Sequence, residues 1–282
     1  MLFVVVAGAA GYALAGRPRR AAAAIAPRAF REPTALRRPT RGRMTEPTAT
    51  NTTSSSALPP TLEQWAALLA PGCLAHRIQL PYALKWVDLE SGGNPCAVGN
   101  PAAHGPDGNP REIGIAQLYN PDDLARSGVT GTQLRAYCVP GDDHAVMYKG
   151  KTVRGFSSAL LRPLTAAEMQ EQADATIDLI ARCMVMATRD LVAVHADAAW
   201  SPSTRNYWTL VKLQHGLPGL SHTGLRAVAR RLQRAPRSWQ EFAATVGHVQ
   251  LDPETMKYRD GFPVILANAE QCASVFTEPE LA

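Results

Sequence analysis

No C-x-x-C pair occurs among the five cysteines of this 282-residue chain (Cys73, Cys96, Cys138, Cys183 and Cys272), so zinc-type ligand spacing is absent and no metal site is expected. The odd, widely spread set allows one or two disulfides in an oxidising compartment; buried small hydrophobes are the competing reading for most of them. Long apolar runs are missing too. The run at 1–16 falls short of the about 20 residues that a spanning helix needs. No internal repeat is present, and no strand pair carries a strong hairpin signature, although 145–156 can form a small one. Together these absences leave a mainly α domain. Charge of one sign is also scarce where it would matter. The net +5 arises in 1–44, which hold nine Arg and one Glu, whereas the rest carries 20 Lys and Arg against 23 Asp and Glu. A specific nucleic-acid reading would therefore rest on a basic tail alone, and none is expected for the globular part.

Three segments follow from composition. Residues 1–16 (MLFVVVAGAAGYALAG) are apolar and run straight into Arg17, Arg19 and Arg20. Their length suits a signal-peptide core, with Ala13-Leu14-Ala15 as a small-residue cleavage site. The positive flank, however, lies on the wrong side, and on an inserted segment it would hold the downstream chain in the cytoplasm. Residues 44–58 read instead as an ordinary polar N-terminus beginning at Met44, and the two readings carry equal weight. Residues 17–60, rich in Arg, Ala, Pro, Ser and Thr, read as a disordered linker, and 61–282 as the folded domain.

Within that domain, Thr61-Leu62-Glu63-Gln64 opens a helix to about Ala70, with Pro71-Gly72 as its stop. A second helix runs from Pro81 to Gly92-Gly93, followed by a Gly-, Pro- and Asn-rich loop to Arg111. Short helices are expected at 121–127 and 131–138. From Thr165 to about His195, Ala173, Ile177, Ile180, Met184, Ala187, Leu191 and Val194 recur at spacings of four and three, which is the apolar stripe of a long core helix. Further helices fit 203–215, 223–233, 238–247 and 262–275.

The chemistry concentrates in Trp86-Val87-Asp88-Leu89-Glu90-Ser91-Gly92-Gly93-Asn94-Pro95. On a helix Trp86 and Glu90 share a face, while Asp88 points elsewhere, as a solvated or structurally paired group. A carboxylate in the last turn feels the negative end of the helix dipole, and an aromatic neighbour excludes water. Both effects predict a raised pKa, as a general acid needs. Alone, Glu-Ser-Gly is most often a solvated helix-end carboxylate with an ordinary glycine cap. The second segment, Gly114-Ile115-Ala116-Gln117-Leu118, changes that.

Taken together, E-S-G-G-N-P followed by G-I-A-Q-L resembles the soluble lytic transglycosylase domain of the lysozyme-like superfamily, over about 90–215. In that family the Glu of E-S-x-x-N-P is the acid/base, and a G-L-M-Q-I-type motif lines the cleft with its Gln on the sugar chain. The resemblance thus implies a lysozyme-like helical domain, with Glu90 catalytic, Ser91 orienting it and Gln117 binding substrate. The family's third motif, A-Y-N-A-G, is not found; the nearest aromatic candidates are Tyr207 and Trp208. They stand in Asn206–Pro218, a stretch similar to phage and bacterial variants with a K-L-x-H-x-L-P helix end. Tyr207 is taken as a subsite candidate, with a core aromatic as the equal alternative. Leu266–Glu270 is expected to pack as a helix.

The implied reaction cleaves the β-1,4 bond between N-acetylmuramic acid (MurNAc) and N-acetylglucosamine (GlcNAc) in peptidoglycan, leaves 1,6-anhydro ends, and uses no cofactor. One residue can change it. Glu112, just before the Gln motif, could face the cleft, and a carboxylate pair is the equipment of a muramidase-type hydrolase. A third reading is a non-catalytic virion or wall-binding protein on the same scaffold, with 1–16 and the Arg-rich linker contacting membrane lipid or DNA. The implied setting is the periplasm and cell envelope, or a phage virion.

Overall fold

Thr61 begins the first helix, and the reason is local. Its hydroxyl accepts the Gln64 N–H at 3.3 Å while Gln64 Oε1 accepts the Thr61 N–H at 2.8 Å, which satisfies two donors that a helix start otherwise leaves free. The computed structural model describes residues 57–105, 107–119, 122–141, 144–148, 150–216, 220–249 and 262–278. The expectations for 1–16, and for 17–60 up to residue 56, lie outside them.

Helix α1 spans Leu62–His76 and α2 spans Leu80–Ser91. Helix α1 does not stop at Pro71-Gly72 as the sequence suggests; it runs through Pro71 and ends at Arg77 in the left-handed region. A proline inside a helix forfeits one backbone hydrogen bond. Here tertiary packing overrides it, with Leu69 and Cys73 buried on either side. Gly72 serves close approach rather than termination, since a Cβ there would lie 2.8 Å from Ile177 Cγ1.

Two small hairpins and two short helices follow: β1 (Glu112–Ile113) with β2 (Leu118–Tyr119), α3 (Asp122–Ser127), α4 (Gly131–Arg135), and β3 (His144–Tyr148) with β4 (Lys151–Gly155). The β3–β4 hairpin occupies the expected stretch. The β1–β2 hairpin was not anticipated, and it turns on the Gly114–Gln117 motif. Then come α5 (Ala166–Ala193), a 3₁₀ turn at Ala198–Trp200, α6 (Arg205–Gly216), α7 (Leu220–Leu232), α8 (Trp239–Val249) and α9 (Phe262–Ala273). The described residues are mainly helical.

Helix α5 is the axis of the core, capped by Thr165 in the same reciprocal way as α1. Its expected stripe is on the inside: Ala173, Ile177, Ile180, Ala187 and Leu191 are buried, with Met184 and Val194 packed against them. Each large apolar side chain so placed contributes about 1.5–3 kcal/mol. Helices α1 and α6 pack on α5, α6 packs on α9, and α2 packs against α1 and α9. The loop after α2 is tied to the end of α4 by a disulfide, Cys96–Cys138. Cys73, Cys183 and Cys272 are buried free thiols, so the odd count resolves into one bridge and three core residues. Among the described residues no helix is long and apolar enough to cross a membrane.

Candidate active site

Glu90 is carried by the last turn of α2. Gly92 adopts φ +62° and returns its N–H to Asp88 O at 2.9 Å, and Gly93 follows at φ +82°, so the chain turns sharply off the helix. The Gly93 carbonyl is held by Trp65 Nε1–H at 2.8 Å, which fixes that exit against α1. Ser91 Oγ accepts the Gly93 N–H at 3.1 Å and lies 3.1 Å from Val87 O and 2.9 Å from Ile115 O. Its hydroxyl is thus committed within the protein. Ser91 stitches α2 to the β1–β2 turn. Asp88 pairs with Lys85 at 2.8 Å, the structural role expected of it.

The partner of the Glu90 carboxylate comes from α6. Lys212 Nζ donates to Glu90 Oε1, and His215 Nε2 lies 3.8 Å from the same oxygen. The Lys212 side chain is only 4% exposed and that of Glu90 20%. Beneath them sits the buried Trp86 ring, 4.2 Å from Lys212 Nζ and 5.4 Å from the His215 ring. A desolvated cation over an indole face is electrostatically favoured, which helps retain a buried ammonium here.

This ion pair overturns the sequence expectation for Glu90. Burial does push its carboxyl upward, but the Lys212 ammonium and His215 outweigh it and hold Glu90 below the ordinary value. His215 moves the same way for its own reason, since burial disfavours the imidazolium more than Glu90 favours it. Both residues stand in the K-L-x-H-x-L-P helix end, but the sequence alone assigns neither a role at Glu90. The available signal was a lysine inside Leu210-Val211-Lys212-Leu213, all four of which are buried, with a histidine three positions on and hence on the same face.

The other carboxyl behaves oppositely. Glu112, on β1, is raised by burial and by the charge of Glu90, against a smaller opposing effect of Arg111. Gln117, at the far end of the turn, is 6% exposed and takes a left-handed backbone, φ +52°. Its Nε2 donates to Gly114 O at 3.0 Å, and its Oε1 has no partner among the described residues. Glu112 and Gln117 converge over Gly99. A Cβ on that glycine would lie 1.8 Å from Glu112 Oε2 and 2.9 Å from Gln117 Oε1, so the niche exists because residue 99 has no side chain. Gln172, from α5, holds the turn from behind: its Oε1 accepts the Ile115 N–H at 3.1 Å and its Nε2 donates to Pro95 O at 3.2 Å.

Tyr207 is not brought to this site. Its hydroxyl is taken by Thr188 Oγ1 at 3.0 Å and Met184 O at 3.2 Å, and its ring borders a groove shared with His76, Val185 and Arg189. Tyr207 lies on the face of α6 that packs on α5, as the core-aromatic alternative expects. Trp208 is a core residue, 4.9 Å from the Tyr82 ring with its Nε1–H on Pro202 O. The expected helix over Leu266–Glu270 forms part of α9, where Glu270 accepts Trp239 Nε1–H at 2.6 Å. Among the described residues no cluster of three His, Cys, Asp or Glu could hold a metal ion.

The site therefore offers an ion-paired carboxyl held below the ordinary glutamate value and a second held above it. An amide oxygen without a partner among the described residues stands beside the second. Comparison with protein-family models, with curated proteins and with solved structures finds no match to this chain.

Proposed function

We propose that this chain cleaves the glycan strands of peptidoglycan at the MurNAc–GlcNAc β-1,4 bond, as a lytic transglycosylase on a lysozyme-like helical domain. One observation carries the reading. The Ser91 Oγ–Ile115 O contact joins E-S-G-G-N-P to G-I-A-Q-L, so that Glu90, Glu112 and Gln117 come from segments bound to one another. Glu90 is the catalytic carboxylate. In its protonated form it gives the proton to the glycosidic oxygen; the C1–O4 bond breaks and its electron pair stays on O4, now a hydroxyl. The substrate's acetamido group supports the oxocarbenium-like centre. The MurNAc O6 then bonds to C1 and returns its proton to Glu90, which closes the 1,6-anhydro ring without consuming water. Gln117 Oε1, buried and without a partner among the described residues, is suited to accept an N–H or O–H of the sugar chain.

A second reading is favoured by the opposed carboxyls. Two titratable groups whose surroundings push their pKa values apart are the usual mark of an acid and its partner base. Glu112 would then be the acid and Glu90 the ionised partner of a muramidase-type hydrolase, with water consumed and a reducing MurNAc end released. Mass spectrometry of the digestion products separates the two, because anhydro ends are lighter by one water and resist borohydride reduction. The Cys96–Cys138 disulfide supports a setting outside a reducing cytoplasm, such as the periplasm, the cell envelope or a phage virion. Cell-wall opening by a bacterial or phage protein fits that setting.

A further inference from the structure

We infer that Lys212 is a positioning residue of this site, whose buried ammonium, seated over the Trp86 ring, pairs with the Glu90 carboxylate and fixes it in place. The inference rests on the glycan-cleavage reading for its purpose, but its geometry is independent. A lysine this deep in a helix needs a reason, because desolvating an ammonium is costly unless it is paired. Its side chain meets Glu90 on one side and the Trp86 face on another, so the pairing is built rather than incidental. Burial penalises both carboxylates, and the charge of Glu90 raises Glu112 further. Lys212 offsets the burial of Glu90 by contacting it directly.

The surroundings leave this role to Lys212. His215, on the same helix, is driven toward its neutral form by burial, so it adds less positive charge. Arg111 acts on Glu112 in the opposite sense, but burial and Glu90 outweigh it. Asp123 of α3 and Arg182 of α5, which face His215, are ion-paired to each other at 2.8 Å and offset one another. The thiols Cys183 and Cys272 are pushed up to about 12 by burial and stay neutral.

The test uses the full-length protein with carboxyl-¹³C-labelled glutamate and follows each resonance with pH, assigning them with Glu90→Gln and Glu112→Gln. In the wild type Glu90 should titrate below the ordinary glutamate range and Glu112 above it. In Lys212→Met, Glu90 should move to above the ordinary range, a change that loss of packing alone would not produce. Lys212→Arg should keep Glu90 low. If Lys212→Met does not fold, Lys212→Gln, which still donates a hydrogen bond without charge, carries the same expectation. An unmoved Glu90 in the neutral variants, or a wild type in which Glu112 ionises first, overturns the inference. Failure of the wild type to clear peptidoglycan would instead sink the catalytic reading and leave these titrations standing.

Discussion

Replacing Gln172 by Met tests how the site is supported from the core. Gln172 is 1% exposed and spends its amide on three buried groups: the Ile115 N–H at 3.1 Å, Pro95 O at 3.2 Å and the Tyr137 hydroxyl at 2.5 Å. Methionine nearly matches its volume, so no sizeable cavity enters, but all three partners lose their bond. An orphaned buried polar group costs about 1–3 kcal/mol. Taking the low end for each, because the tyrosine hydroxyl can rotate and the loop can yield, gives about 3 kcal/mol. For a folded part of this size, each kcal/mol lowers Tm by about 2–4 °C, so the melt should fall by about 6–12 °C. The assay is guanidinium unfolding of both proteins, in which the midpoint should drop with the slope unchanged. Because the same bonds hold Pro95 and Ile115, activity should fall as well. A loss below about 1 kcal/mol would refute the claim that α5 anchors both motifs through this side chain.

Gly99→Ala should leave Tm within a few degrees yet reduce turbidity clearance of peptidoglycan about 10-fold or more, because its Cβ would displace Glu112 Oε2, 1.8 Å away; full activity would show that Glu112 need not occupy this niche. Reducing the Cys96–Cys138 bridge, which closes a 42-residue separation, should lower the unfolding free energy by about 2–4 kcal/mol, read by denaturant titration with and without dithiothreitol. Acid stability should follow Glu168 and Glu241, whose bonds from Arg162 and Arg234 hold each at about 2. A folded value below the ordinary 4.5 contributes stability that is present above that pH and lost as pH falls toward 2. The Tm deficit of Arg162→Ala with Arg234→Ala should therefore be clear at pH 6 and vanish near pH 2; a deficit that persists at the acid end contradicts this assignment.

Much of the fold is legible because it is written locally. Thr61 and Thr165 announce helix starts through residues three positions on, Gly92 announces an end, and the stripe on α5 is a matter of spacing alone. What local reading misjudged is whatever depends on a distant neighbour. Pro71-Gly72 has the composition of a stop, but Ile177, from α5, makes Gly72 a packing surface. Gly114–Gln117 reads as part of a motif without showing that it is a hairpin turn, since its pairing depends on two-residue strands too short to leave a period. At the site, Glu90 and its position at the end of α2 could be read directly. The direction of its pKa could not, because Lys212 lies 122 residues away and carries no sequence mark that assigns it to Glu90. Tyr207 was drawn in by its aromatic character, which serves the contact with α5 equally well.

The proposed glycan cleavage by this chain depends on Glu90. Full-length wild type and Glu90→Gln, the latter first shown to melt as a folded protein, should be run side by side in a renaturing gel cast with purified peptidoglycan. The wild type should clear the gel, and Glu90→Gln should leave it opaque at the same loading. Clearing by Glu90→Gln equal to the wild type, or none by the wild type, would contradict the proposal that this carboxylate cleaves glycan strands.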